Sequence, residues 1–545
     1  MTKKVTSPIA RILGVRSFDT KERKSVFGDA VKEFRYKERG RAFASSLYSQ
    51  TYGSYHHEYL AVSVRGSLSD ACLSSLGGEI SLDDQASLDQ AMQNLAYQHE
   101  IRHFHDCFGT LAGISLFFWH VHELREFYTL TGWLRRQNLS WRMPLRTWVR
   151  ENDCPTKIKR FYHLFRSRRF HRDLFVGSLA GFNEEGPSDE PWEWIVTHPP
   201  FPLHEEAPPI PAFPMSAGRR SQASEDRWTH FCPLALVPLL EGNAQAVQRS
   251  LLEAICRSEV VNLYWQRMTQ YRVEPTTSNS ESSARSNFCP LPYNVTDYLL
   301  TRFLTKERGC SNYPRSLILK VTDAALMTSL APSTIYYRDP KFSRHPGAAF
   351  VDVLNSTDWR RDLEDCSPAV PISSDDLYRI ISNYRAKIRP MSDPSRSHPI
   401  DVIESYAVHH VIIPLLELRL RYGHSVFSEP LTYWKHIVEF PVPAMIFGDR
   451  GIQPSTDMPR GLMEAWLSYV LLQNLMTSIM DAEHAILPCP RAYNLIPGIE
   501  RCELAYPESC SRHISDRSCM NWTSGSLNEL PKCRFSKMLA EMGFD

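Results

Sequence analysis

Tyr97-Gln98-His99-Glu100-Ile101-Arg102-His103-Phe104-His105-Asp106 carries the one arrangement in this 545-residue chain with a specific chemical meaning, His-Glu-x-x-His. Two histidines four apart on a helix share a face one turn apart, so both imidazoles reach one metal ion. Glu100 stands beside that face, placed to take a proton from an activated water. The reading requires a helix, and the flanks predict one. Ala86, Leu88, Ala91, Met92, Leu95 and Ala96 recur close to a 3.6-residue period. Ser81 with Asp84 three residues later reads as a capping box. The expected helix runs from Leu82 to about Cys107, with the motif in its last two turns. Gly109 and Gly113 mark a break, and a very apolar helix is expected from Leu111 to about Arg135.

Upstream, Glu58 to Arg65 mixes aromatic and β-branched residues and reads as a strand, with Gly66 as punctuation. A short strand is expected at Glu79-Ile80. Downstream, 140–182 reads as helical and basic, with Arg160, Arg166, Arg168, Arg169 and Arg172. Nine prolines between Pro187 and Pro214 predict a long irregular segment, an insertion, lid or linker. Helices are expected at 236–271, within 292–330, and at about 375–389, 400–423, 431–438 and 459–482. Residues 331–372 read as irregular. The fold class is therefore mainly α with a small β element. Six regions follow: a basic arm (1–45), a motif-bearing half (46–182), a Pro-rich acidic insertion (183–230), a helical middle (231–372) with a flexible 273–290 loop, a second helical region (373–484) and a loop-rich tail (485–545).

Composition narrows the class. Hydrophobic content of 43% is enough for a sizeable core. A net charge of +1 gives no strong nucleic-acid signal for the chain as a whole. The N-terminal stretch has basic residues but no apolar core of a signal peptide, and no apolar run reaches membrane-spanning length. Thirteen cysteines, with no Cys-x-x-Cys pair, fit reduced thiols, so a cytoplasmic protein is expected. There is no Gly-x-Ser-x-Gly elbow, P-loop or Gly-x-Gly-x-x-Gly, which leaves serine-elbow, P-loop and Rossmann chemistry unsupported.

The motif resembles that of the zincin metallopeptidases of the glutamate type. That resemblance implies a zincin-like helical core with large irregular insertions, a Zn2+ cofactor held by His99 and His103, and Glu100 as general base. Arg102 and His105 stand where the family prefers uncharged and apolar residues. Arg102 is expected to pair with Asp106 at i+4, and Asp106 to orient a histidine or serve as a ligand. The family's third ligand is a Glu on a later helix with a small residue close behind. Glu404, among Ile400, Ala407, Val408 and Val411, is preferred, since an unpaired carboxylate on an apolar face is expensive. Glu464, followed by Ala465, is the alternative.

Two functions of different classes remain open at this level. One is a zinc-dependent hydrolase, most simply a peptidase with a peptide or protein substrate. The other is a non-enzymatic helical scaffold or interaction protein whose motif is structural or degenerate.

Overall fold

In the computed structural model, the residues described fall chiefly in 85–139, 145–177, 227–255, 295–309, 313–328, 345–357, 372–392 and 397–448. Short strand segments and isolated helical positions across 462–476 complete them. The described residues are dominantly helical, as the periodicity predicts.

The motif helix α1 spans Gln85–Phe108 and is followed after two residues by α2, Leu111–Arg136. The corner between them is set by close approach. A Cβ on Gly113 would stand 1.9 Å from the Cys107 carbonyl oxygen, and one on Gly109 would stand 2.8 Å from the Phe427 ring. Only bare backbone lets the first turn of α2 lie on the last turn of α1. Thr110 caps α2 and ties back to α1 by donating its hydroxyl to the Asp106 carbonyl at 2.7 Å.

Further helices follow: α3 (Thr156–Val176), α4 (Leu236–Ile255), α5 (Val295–Arg308), α6 (Ser316–Thr328), α7 (Pro346–Ser356) and α8 (Ser374–Lys387). Helix α9 (Pro399–Tyr406) runs through a π-helical stretch, Ala407–Ile412, into α10 (Ile413–Tyr422). Pro414 offers no N–H to the His410 carbonyl, which accounts for the widened turn before it. Helix α11 is Pro430–His436. Helix α4 packs on α1, α5 and α6, so the motif helix shares one core with the middle of the chain.

A small four-stranded sheet covers the far side of α1. Its order is β1 (Gly53–His56), β2 (Ala61–Val64), β3 (Met445–Gly448) and β4 (Gly451–Pro454). Strands β1 and β2 are antiparallel with Tyr55 opposite Val62, and β2 and β3 are parallel with Ala61 opposite Met445. Leu60, Ala61 and Val62 are wholly buried. A second, five-stranded sheet has the order Val15–Ser17, Trp192–Ile195, Ile210–Gly218, Arg227–Pro233, Phe182–Glu184.

Two expectations change. The Pro-rich stretch 187–214 is not wholly irregular, because Trp192–Ile195 and the start of Ile210–Gly218 are strands. Residues 331–372 contain helix α7, with Pro346 in its first turn, where a missing N–H costs nothing. Its apolar residues Phe350, Val351, Val353 and Leu354 are buried. The capping pair Ser81 and Asp84, the Glu79-Ile80 strand, Glu464 and the cysteine-bearing tail lie outside the described residues. Among the described residues, no helix is long and apolar enough to cross a membrane.

Candidate metal centre

Helix α1 presents His99 and His103 on one face, one turn apart, with ring centroids 4.6 Å from each other and planes nearly perpendicular. Helix α4 brings Glu241 to that face. Its Oε2 lies 3.1 Å from His99 Nε2 and 3.1 Å from His103 Nε2. Both histidines are buried, and the Glu241 side chain is 18% exposed. Among the described residues this trio is the one group of His, Cys, Asp or Glu whose donor atoms converge closely enough to hold an ion.

Glu241 arrives there for identifiable reasons. Leu236, Leu239, Leu240, Ala244, Val247 and Leu251 form the apolar rows of α4 and are buried. Gly242, next in sequence, lies so close to α5 that a Cβ would stand 1.9 Å from Thr296 Oγ1. The packing of three helices thus positions a carboxylate that would otherwise be free to turn.

Glu100 is buried beside the trio, 7% exposed. Burial pushes its carboxyl up to about 8, His99 pulls it down, and Glu241 adds to the rise. Burial alone would raise the Glu241 carboxyl too, but the two histidines, His103 foremost, hold it well below the usual carboxylate range. The Tyr55 ring stacks on the His103 imidazole with centroids 6.2 Å apart, and burial pushes its phenol well above the usual range. That contact fixes the His103 ring from the sheet side.

The donor set fits zinc. Two neutral imidazole nitrogens and one carboxylate are the ligands of a catalytic zinc site, with a fourth position left open. Tetrahedral donors about 2.0–2.1 Å from such an ion stand roughly 3.3 Å from one another, close to the separations from Glu241. The same geometry also suits two N–H donors sharing one carboxylate oxygen.

Glu404 does not join the histidines. It accepts from both terminal nitrogens of Arg125 on α2, one of them at 3.0 Å, and Arg125 also reaches Asp401 at 2.7 Å. Its carboxylate on an apolar face is neutralised by an arginine rather than by a metal. Asp106 is engaged by Arg102, with Nε to Oδ2 at 2.9 Å, as the i+4 spacing predicts. Arg102 also donates to the Phe427 carbonyl at 2.6 Å and lies over the Tyr433 ring. His105 is held between the Tyr433 hydroxyl and the Pro441 carbonyl, each at 2.8 Å. Since a carbonyl only accepts, His105 donates from Nε2 and accepts at Nδ1. Arg102 and His105, the two departures from the family pattern, therefore point away from the metal face into the core.

Glu241 is the residue that sequence reasoning missed. Glu241-Gly242 satisfies the expected pattern of a helical Glu with a small residue behind it, although it lies well before the expected positions Glu404 and Glu464. No protein-family model, curated protein or solved structure matches this chain.

Proposed function

We propose that the chain is a zinc-dependent hydrolase, with a peptide or protein as the simplest substrate. The observation that supports it is the convergence of His99, His103 and Glu241 with Glu100 buried alongside. A zinc ion held there supplies electrophilic activation of a water and of a scissile carbonyl. His99 and His103 would hold the ion together with Glu241, whose carboxylate would balance its charge. Glu100 takes the proton from the attacking water and returns it to the leaving group. In the metal-free chain, burial raises the proton affinity of this carboxyl.

A second reading has its own support. Glu241 already accepts from two imidazoles, so the trio is also a self-sufficient hydrogen-bonded clamp between α1 and α4. In that reading the chain is a helical scaffold or interaction protein.

Zinc content and peptide-library cleavage separate the two. The hydrolase reading expects about one zinc per chain in wild type and in Glu100→Gln, with cleavage lost only in the variant. Wild-type protein purified without chelators that neither contains nor takes up zinc would sink it and leave the clamp.

A further inference from the structure

Helix α4 carries a polar row beside its apolar ones. Glu241, Gln245 and Gln248 stand at i, i+4 and i+7, so they share one face of the helix. Glu241 fixes what that face meets, because its carboxylate lies on His99 and His103 of α1. Gln245 is 4% exposed, and Gln248 is buried as well. Among the described residues, the Gln245 Nε2 amide has no hydrogen-bond partner.

A buried amide donor without an acceptor lowers stability, because its lost hydration is not replaced. Sites that bind a ligand carry such costs, since the ligand supplies the missing partner. Gln245 stands one turn, about 5.4 Å, along α4 from Glu241. The carbonyls of an extended peptide advance by about 3.3–3.6 Å per residue. A carboxamide at that spacing reaches a carbonyl one or two residues from the one under attack.

We propose that Gln245 is a specificity-determining residue of the metal centre, donating Nε2–H to a neutral amide carbonyl of the substrate beside the bond that is cleaved. The proposal rests on the zinc-hydrolase reading and adds the chemistry by which the substrate is recognised. The acceptor is an uncharged carbonyl rather than a carboxylate, because Glu100 and Glu241 already bring two carboxyl groups to this place and a third anion beside them is repelled.

The test compares two zinc-binding probes, acetohydroxamic acid and N-acetylglycine hydroxamic acid, by calorimetric titration of the zinc-loaded full chain. The second probe adds one amide carbonyl beyond the metal-binding group. In Gln245→Met and, independently, in Gln245→Ala, affinity for the longer probe is expected to fall about three- to tenfold, the loss of one hydrogen bond. Affinity for the shorter probe and zinc content are expected to stay as in wild type. Melting of the metal-free proteins is the second readout. Gln245→Met is expected to melt about 1–3 °C above wild type, because it removes an unmet buried donor. Gln98 is also buried with an unpartnered amide, but lies about 100° around α1 from His99. Gln98→Met is expected to melt higher too, and to bind both probes as wild type does. Equal losses for both probes, or a fall in zinc content, would assign Gln245 to holding the metal and overturn the proposal while keeping the zinc centre. Unchanged affinity for the longer probe, or a lower melting temperature in Gln245→Met, would also overturn it. So would zinc-loaded wild type that binds neither probe. Wild type that takes up no zinc would overturn both this proposal and the reading beneath it.

Discussion

Glu241 Oε2 stands 3.1 Å from His103 Nε2, although 138 residues separate the two. No local pattern links them, yet together they complete the donor set. Replacing Glu241 by Gln should lower zinc affinity by more than about 100-fold, beyond the 10–100-fold typical of losing an outer hydrogen-bond partner. Glu404→Gln should leave zinc affinity unchanged, because that carboxylate serves Arg125. Competition titration with a chromogenic chelator measures both; a loss in Glu404→Gln matching that in Glu241→Gln would refute the assignment.

The buried Arg102–Asp106 pair on α1 makes a second prediction. Both side chains are wholly buried, with Arg102 Nη2 to Asp106 Oδ1 at 2.8 Å. Arg102→Met should cost about 3–5 kcal/mol, because it strands a carboxylate in the core. The double variant Arg102→Met, Asp106→Leu should recover a large part of that loss. Urea denaturation of the three proteins reads the difference; a double variant less stable than the single one would contradict it.

His105 sets a pH dependence. Burial, helped by the nearby Arg102 charge, pushes its imidazole down to about 3, against the hydrogen bond to Pro441, which raises it. The unfolded chain titrates this group near 6.5, so between about 6.5 and 3 the unfolded state binds one proton more. Stability from this group is complete above 6.5 and falls as pH drops through that window, by about 1.4 kcal/mol per unit. Asp323, held low by Arg419 and His424 against its burial, adds its own loss only at lower pH. Denaturant midpoints from pH 7 to 4.5 should slope less in His105→Gln than in wild type. Parallel slopes would mean that His105 is protonated in the native protein.

Two glycines of α2 should respond with opposite signs. Gly113→Ala places a Cβ 1.9 Å from the Cys107 carbonyl and should destabilise by about 3 kcal/mol, since backbone must move. Gly132→Ala meets nothing nearer than Arg136 Nη1 at 3.7 Å and should stabilise by about 0.5–1 kcal/mol through helix propensity. Thermal melting of both variants checks the pair.

Helical periodicity was enough to place α1 within three residues at its start and one at its end, and α2 within one. It was enough, too, to bring His99 and His103 together and to pair Arg102 with Asp106, because all of these are relations within a turn or two of one helix. The third donor was a different kind of question. Apolar neighbours around Glu404 say that a carboxylate is buried; they do not say what neutralises it, and Arg125 from another helix does so. Glu241 reaches the histidines because leucine rows seat α4 on α1 and Gly242 admits α5. The fate of His105 likewise depended on Tyr433 and Pro441, more than 300 residues away. Contacts within a helix follow from spacing along the chain, whereas contacts between helices follow from which faces pack, and only the folded chain sets that.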